Sequence, residues 1–249
     1  MAIKSFKRYE KKYILTKDQY EKLVLEISKY MVPDKFCRDG KNYSIYNVYY
    51  DTKDNQVIRH SIDKPYYKEK LRLRSYFVPK SKEDKVFLEL KKKINGIVSK
   101  RRVVMSLGEV EKFLKFREKP KTSDYVNNQV LKEIEYYLKN NKVEPKIYIS
   151  YSRKAFFAID DKDFRVTFDS KLLTRRDNLN LESGPFGTNL LDPNTYLMEV
   201  KILGAMPLWF TEVLSKLKIY NTHFSKYGNE YMDYTFNQKF NLPRRKNVC

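Results

Sequence analysis

Lys68-Glu69-Lys70-Leu71-Arg72-Leu73-Arg74 alternates charge and leucine with a period of two. Side chains on a β-strand point to opposite faces in turn. Lys68, Lys70, Arg72 and Arg74 therefore share one face, and Leu71 and Leu73 share the other. Four cations in a row repel one another unless an anion lies among them. The stretch reads as a strand with one apolar face and one anion-seeking face.

Working outward, the same period recurs. Eight segments rich in Tyr, Val, Ile and Phe are predicted as strands, at about 4–15, 43–50, 66–78, 85–93, 97–105, 146–158, 163–173 and 196–203. Asn95-Gly96 is a hairpin signal joining two of the basic strands. Asp160-Asp161-Lys162-Asp163 reads as a second hairpin loop. Thr16-Lys17-Asp18-Gln19 and Ser106-Leu107-Gly108-Glu109 are capping boxes. The first precedes Tyr20, Leu23, Ile27 and Met31 at helical spacing; the second precedes Val110, Phe113 and Leu114. Residues 124–140 carry Val126, Val130, Ile134 and Leu138 four apart, and Pro207 is placed to start a helix holding Phe210, Leu214 and Leu217. These stripes read as core contacts. Long strands with helices between groups predict an α+β domain around an antiparallel eight-stranded β-barrel with flanking helices. A closed barrel puts alternate side chains inside. Alternation leaves open whether the cations line the interior or coat the outside.

Composition narrows the partners. Of 249 residues, 51 are Lys or Arg and 31 are Asp or Glu, a formal charge of +20. Such a field attracts nucleic acid, anionic membrane or polyphosphate-like ligands. Cys37 and Cys249 are the two cysteines, which excludes a disulfide framework or a Cys-based zinc site. His60 and His223 are the two histidines, and His60 reads as a solvated loop residue. Residues 1–10 lack the apolar segment of a secretory signal, and no run reaches the roughly 18 apolar residues of a membrane span. A cytoplasmic protein with no membrane span is expected. No linker divides the chain, so residues 1–240 are expected as one domain, with 241–249, including Pro243-Arg244-Arg245-Lys246, as a basic tail.

Strand parity groups further candidates. Arg8, Glu10 and Lys12 share a face, as do Glu89 and Lys91, Lys100 and Arg102, and Arg165, Thr167 and Asp169. Tyr151 and Arg153 share another, and Glu199 and Lys201 another. Many cations with a few carboxylates suit phosphoryl transfer. Arg offers a planar fork and Lys a point charge to phosphate oxygens, and a carboxylate can help hold a divalent metal among them. A terminal phosphate acting as nucleophile is already ionised and needs positioning rather than a strong base. For Glu10 and Glu89 the plainer reading is a cross-strand partner for a lysine.

Taken in order, Lys12-Tyr13, Tyr49-Tyr50-Asp51-Thr52, Leu71-Arg72-Leu73-Arg74, Glu89-Leu90-Lys91, Tyr151-Ser152-Arg153-Lys154-Ala155-Phe156, Thr167-Phe168-Asp169, Glu199-Val200-Lys201 and Phe224-Ser225-Lys226-Tyr227-Gly228 resemble the VTC-type polyphosphate polymerases of the triphosphate tunnel metalloenzyme superfamily. The resemblance implies a tunnel whose lysines and arginines hold ATP and a growing inorganic polyphosphate, with the γ-phosphate passing from ATP to the chain. It assigns catalytic roles to Lys12, Arg72, Arg74, Lys91, Arg153, Arg165 and Lys226. It assigns substrate binding to Glu10, Lys70, Glu89, Lys100, Arg102, Lys201 and His223. Arg101 or Arg102 replaces Lys100 if the register is one residue off. Glu199 is the implied ligand of Mn²⁺ or Mg²⁺.

Two departures bear on the branch. Many superfamily members carry Glu-x-Glu-x-Lys on the first strand, where this chain has Arg8-x-Glu10-x-Lys12, which suits the polymerase branch. Some relatives place a lysine where His223 stands. Eukaryotic relatives add a sensor domain and membrane spans, and no phosphate-sensing or translocating role is expected here. Two other readings compete: a tunnel-type triphosphatase hydrolysing inorganic or nucleoside triphosphate, and a non-enzymatic polyanion-binding protein. Specific nucleic-acid binding is not expected, because the aromatics do not lie consistently on the cationic faces: Tyr13 opposes Lys12, although Tyr151 accompanies Arg153.

Overall fold

Alternation and capping build most of the secondary structure in the computed structural model, which describes residues 9–95 and 97–240. Arg8, Gly96 and the basic tail at 243–246 lie outside the described residues. β1 (Tyr9–Thr16) passes into α1 (Lys17–Ile27), β2 (Met31–Pro33) and a 3₁₀ turn (Lys35–Gly40). β3 (Tyr43–Thr52) and α2 (Gln56–Ile62) precede three long strands, β4 (Tyr67–Ser75), β5 (Lys85–Ile94) and β6 (Ile97–Ser106). α3 (Leu107–Phe116) and α4 (Tyr125–Asn140) lead to β7 (Val143–Ala158) and β8 (Arg165–Arg175). β9 (Thr188–Asn189), β10 (Thr195–Ile202), α5 (Leu208–Lys216), β11 (Asn221–Thr222) and α6 (Lys226–Lys239) complete the chain.

Both capping boxes form. The Thr16 hydroxyl accepts from Gln19 N–H, and the Ser106 hydroxyl accepts from Glu109 N–H, with each N3 side chain accepting from the cap backbone in return. Asn95 has φ 45°, the left-handed conformation that a two-residue hairpin requires, and Ile94 pairs with Ile97 across it. The loop at 159–164 closes as expected, with Ala158 N–H donating to Phe164 O.

The α+β, antiparallel expectation holds, with a different count and closure. The pairing order is β11-β1-β10-β8-β7-β3-β4-β5-β6, with β2 beside β7 and β9 beside β8. The sheet has eleven strands rather than eight and its path is open among the described residues. The three additional strands are two or three residues long, too short to carry an alternation. Met31 falls in β2 instead of extending α1, because the chain leaves the helix at Ser28. Helices α2 and α6 were not expected: α2 is seven residues long and α6 carries Gly228 in its first turn.

The chain divides into two compact units. The first comprises residues up to 44, 151–172 and 189–229; the second comprises 45–150, 173–188 and from 230 onward. Each has its own core. In the first, Tyr13, Leu15, Val166, Phe168, Met198 and Val200 on the sheet pack against Leu23 and Ile27 of α1 and Phe210 and Leu214 of α5. In the second, Leu71, Leu73, Val86, Leu88, Leu90, Val103 and Met105 pack against Val110 and Phe113 of α3 and Val130, Ile134 and Leu138 of α4. One face of the sheet in each unit is thus covered by helices, and Lys12, Arg165 and Lys201 in the first and Lys70, Arg72, Arg74, Lys91, Lys100 and Arg102 in the second have the opposite strand parity. Among the described residues no helix is long and apolar enough to cross a membrane.

Candidate functional site

In the second unit the charged face is ordered in rows by register. Lys70 pairs with Lys91, and Lys91 with Lys100. Three lysines thus stand side by side on three adjacent strands. The next row along the strands is Tyr49, Arg72, Glu89 and Arg102, and the next is Asn47, Arg74, Phe87 and Val104. Lys100 and Arg102 share the Glu89 face. Arg101 lies on the other, where its guanidinium donates to Glu133 Oε1 at 2.9 and 3.1 Å. Lys68 is turned to the carbonyl of Ser61, 2.7 Å away.

Glu89 is the hub of these rows and is fully buried. Its carboxylate accepts from Arg72 Nε at 2.6 Å and from Lys100 Nζ at 3.3 Å, and Arg74 Nε lies 3.8 Å away. Arg72 also donates to the Tyr49 hydroxyl at 3.2 Å. Arg74, itself buried, donates to Asn47 Oδ1 at 2.8 Å, and Asn47 Nδ2 donates to the carbonyl of Ile149. Burial opposes ionisation of Glu89, but Arg72, Arg74 and Lys100 outweigh it and bring its pKa down to about 2. Partial burial pushes the Lys100 ammonium below its usual value despite the pull of Glu89, and Arg74, Arg72 and Arg102 add to the depression.

The first unit builds a second charged face. Lys12 pairs with Glu199 and Glu199 with Thr167; Glu10 pairs with Lys201 and Lys201 with Arg165. Opposite charges therefore alternate along and across β1 and β10. Lys12 Nζ lies 3.2 Å from Glu10 and donates to Phe224 O at 2.8 Å, and Lys201 Nζ lies 3.0 Å from Glu199. Asp169, fully buried, accepts both Nε and Nη2 of Arg153, at 2.6 and 2.7 Å, and Nζ of Lys226 at 2.6 Å. Arg165 Nη2 reaches Asp34 at 3.3 Å and the Tyr43 hydroxyl at 3.4 Å, while its Nε is buried with no hydrogen-bond partner. His223 is exposed in the segment before Phe224.

Burial opposes ionisation of both carboxylates here as well. Lys201, Lys12, Arg153 and Lys226 nevertheless hold Glu199 well below the usual carboxylate range. Arg153 and Lys226 lower Asp169 in the same way. Among the described residues no group of three or more His, Cys, Asp or Glu side chains stands ready to hold a metal. Glu199 is a single hard oxygen donor amid lysines, of the kind a Mg²⁺-class cation takes, and among the described residues it forms no all-protein cage.

Strand parity placed Asp169 beside Arg165, but its service as the anchor of Arg153 and Lys226 is a tertiary fact. The aromatics are closer to the cations than the Tyr13–Lys12 opposition implied. The guanidinium carbons of Arg153, Arg165 and Arg102 lie 5.1, 4.8 and 4.9 Å from the ring centres of Tyr151, Phe157 and Phe87. Lys226 Nζ lies 4.5 Å from Tyr151.

The sequence model described as the VTC domain matches residues 7–233. No curated protein matches the chain. Several solved structures do, at low identity. A Bacillus halodurans protein provisionally described as an adenylate cyclase is 13% identical over 98% of this chain and 96% of its own, with a TM-score of 0.45. A Vibrio parahaemolyticus protein with the same provisional description is 13% identical over 91% and 98%, with a TM-score of 0.46. The PH1819 protein of Pyrococcus horikoshii is 10% identical over 91% and 99%, with a TM-score of 0.44.

Proposed function

We propose that this chain, which belongs to the VTC domain family, is a polyphosphate polymerase that moves the γ-phosphoryl group of ATP onto the end of inorganic polyphosphate and releases ADP. The observation that carries this reading is the in-register row Lys70–Lys91–Lys100 beside Arg72 and Arg74. Three ammonium groups side by side with two guanidinium groups concentrate positive charge on one strand face, which suits a dense, extended anion.

In the reaction a terminal phosphate oxygen of the chain attacks the γ-phosphorus. The bond from that phosphorus to the β,γ-bridging oxygen breaks, and its electron pair leaves with ADP. The nucleophile is already ionised, so no residue has to remove a proton. Arg72, Arg74, Lys91 and Lys100 on the charged face of the second unit are the candidates to hold phosphate oxygens and stabilise the charge spread over the transferring group. Lys12, Arg153, Arg165 and Lys226 are the phosphate-holding candidates of the first unit. Lys70, Arg102, Lys201, Glu10 and His223 extend these faces, and Glu89 and Asp169 fix the arginines that do the holding. Glu199 would be the carboxylate that helps hold Mn²⁺ or Mg²⁺, and that metal would supply charge neutralisation to the phosphates.

The hydrolytic alternative needs a base for water. Glu89, Asp169 and Glu199 are each held ionised by neighbouring cations, which makes them weak bases near neutral pH. That supports transfer over hydrolysis.

Purified protein incubated with ATP and Mn²⁺ is expected to release ADP together with an acid-stable phosphate polymer. Glu199→Gln is expected to lose that activity. Release of orthophosphate without polymer assigns the protein to the triphosphatases. Absence of both products, with binding of polyphosphate retained, assigns it to the non-enzymatic polyanion binders.

A further inference from the structure

The charged face of the second unit changes character along the strands. At one end stands the lysine row Lys70–Lys91–Lys100, and in the middle Arg72–Glu89–Arg102. At the other end Arg74 pairs with Phe87, and Phe87 with Val104. Tyr76, one residue beyond β4, has the same parity as Arg72 and Arg74. Its ring meets Phe87 edge-on, 5.4 Å between centroids at 81°. The Arg102 guanidinium lies 4.9 Å from the Phe87 ring centre. This end remains accessible: Tyr76 is 38% exposed and Val104 50% exposed. An apolar, aromatic end on a face otherwise built for anions has no use for an inorganic phosphate chain.

We propose that Phe87, Tyr76 and Arg102 form a nucleobase shelf, which makes a nucleoside triphosphate rather than inorganic triphosphate the ligand recognised at this face. The proposal rests on the polyphosphate reading above and adds a direction to it. A base has a π-face that stacks on an aromatic ring, and a guanidinium contributes a cation–π contact. Successive rows on one strand face are about 7 Å apart, so the Phe87 and Lys91 rows are separated by roughly 14 Å. That span is comparable with an extended nucleoside triphosphate. With the base at Phe87, the α- and β-phosphates pass over Arg74 and Arg72. The γ-phosphate then arrives at the lysine row, and the acceptor chain lies on the lysine side, away from the shelf.

Titration calorimetry without metal, so that no turnover occurs, tests this with ATP and inorganic tripolyphosphate. Wild-type protein is expected to bind ATP more tightly than tripolyphosphate carrying the same phosphates. Phe87→Leu, which keeps the site apolar, is expected to weaken ATP about tenfold, the order of one lost base stack, and to leave tripolyphosphate within about twofold. Tyr76→Leu, on an exposed position, repeats the test should Phe87→Leu fold poorly. Equal affinities of wild-type protein for the two ligands, or equal losses in the folded variants, overturn the shelf while leaving the polyphosphate reading intact. Failure of wild-type protein to bind either ligand strikes the polyphosphate reading itself.

Discussion

Replacing Glu89 by glutamine removes one negative charge and almost no volume from the centre of the second unit. The carboxylate is fully buried and faces Arg72, Arg74 and Lys100. Its pKa falls from 4.5 to about 2 in the folded protein. At about 1.4 kcal/mol per pKa unit, the ionised form contributes on the order of 3 kcal/mol of stability. Breaking a buried pair by removing one partner costs about 3–5 kcal/mol, which agrees. For a chain of this size, about 3 kcal/mol corresponds to a fall in Tm of roughly 6–12 °C. The pH dependence follows from the sign of the shift. A depressed carboxyl pKa supplies stability that is complete above the unfolded value and is lost as pH falls through the folded one. The gap in Tm between wild-type protein and Glu89→Gln is therefore expected to be full near neutral pH and to close between about pH 4.5 and about pH 2. Differential scanning calorimetry across that range measures it. A neutral-pH gap under about 2 °C, or a gap that does not change down to the acid limit, refutes the account of Glu89 as the ionised hub of these cations.

Three further substitutions separate the faces of the sheet. Lys91→Met takes one cation out of the lysine row, and tripolyphosphate affinity is expected to fall about tenfold; titration calorimetry reads the effect, and an unchanged affinity contradicts the row as a binding device. Arg101→Ala removes a part-exposed pair with Glu133 on the helix-covered face. It should cost about 1 kcal/mol or less and leave tripolyphosphate binding unchanged, whereas Lys100→Ala should weaken it. Equal losses of affinity in the two variants would reverse the assignment of faces.

The strands were legible because leucine and charge alternate in β4 and because Tyr, Val and Phe recur in the others. The hairpin joining β5 and β6 was legible too, while its register stayed open by one residue until the pairing fixed it. Once Asn95-Gly96 is a two-residue turn and Ile94 meets Ile97, counting back along both strands brings Lys91 opposite Lys100 and Glu89 opposite Arg102. The pairing of β4 with β5 was not, because the long connection between Ser75 and Lys85 fixes no register. Partner choice among buried charges was equally hidden. Asp169 could have met any of several cations, and only packing of β7, β8 and the start of α6 decides for Arg153 and Lys226. Helix α2 escaped because two turns are too short for a 3.6-residue period to register. Helix α6 escaped because its apolar residues are scattered among polar ones and a glycine sits near its start.

On the polyphosphate reading proposed above, the Arg153–Asp169 pair limits how tightly a chain is held. Two of the guanidinium's nitrogens are spent on the buried carboxylate, so a passing phosphate meets net charge and leftover donors rather than a closed fork. Arg72 likewise spends Nε on Glu89 and Nη1 on the Tyr49 hydroxyl. A surface that grips with softened contacts favours a ligand that shifts by one phosphate unit at a time over one locked in a single register. On the proposed polyphosphate reading, the internal carboxylates act as a brake on affinity and suit a site whose product has to keep moving.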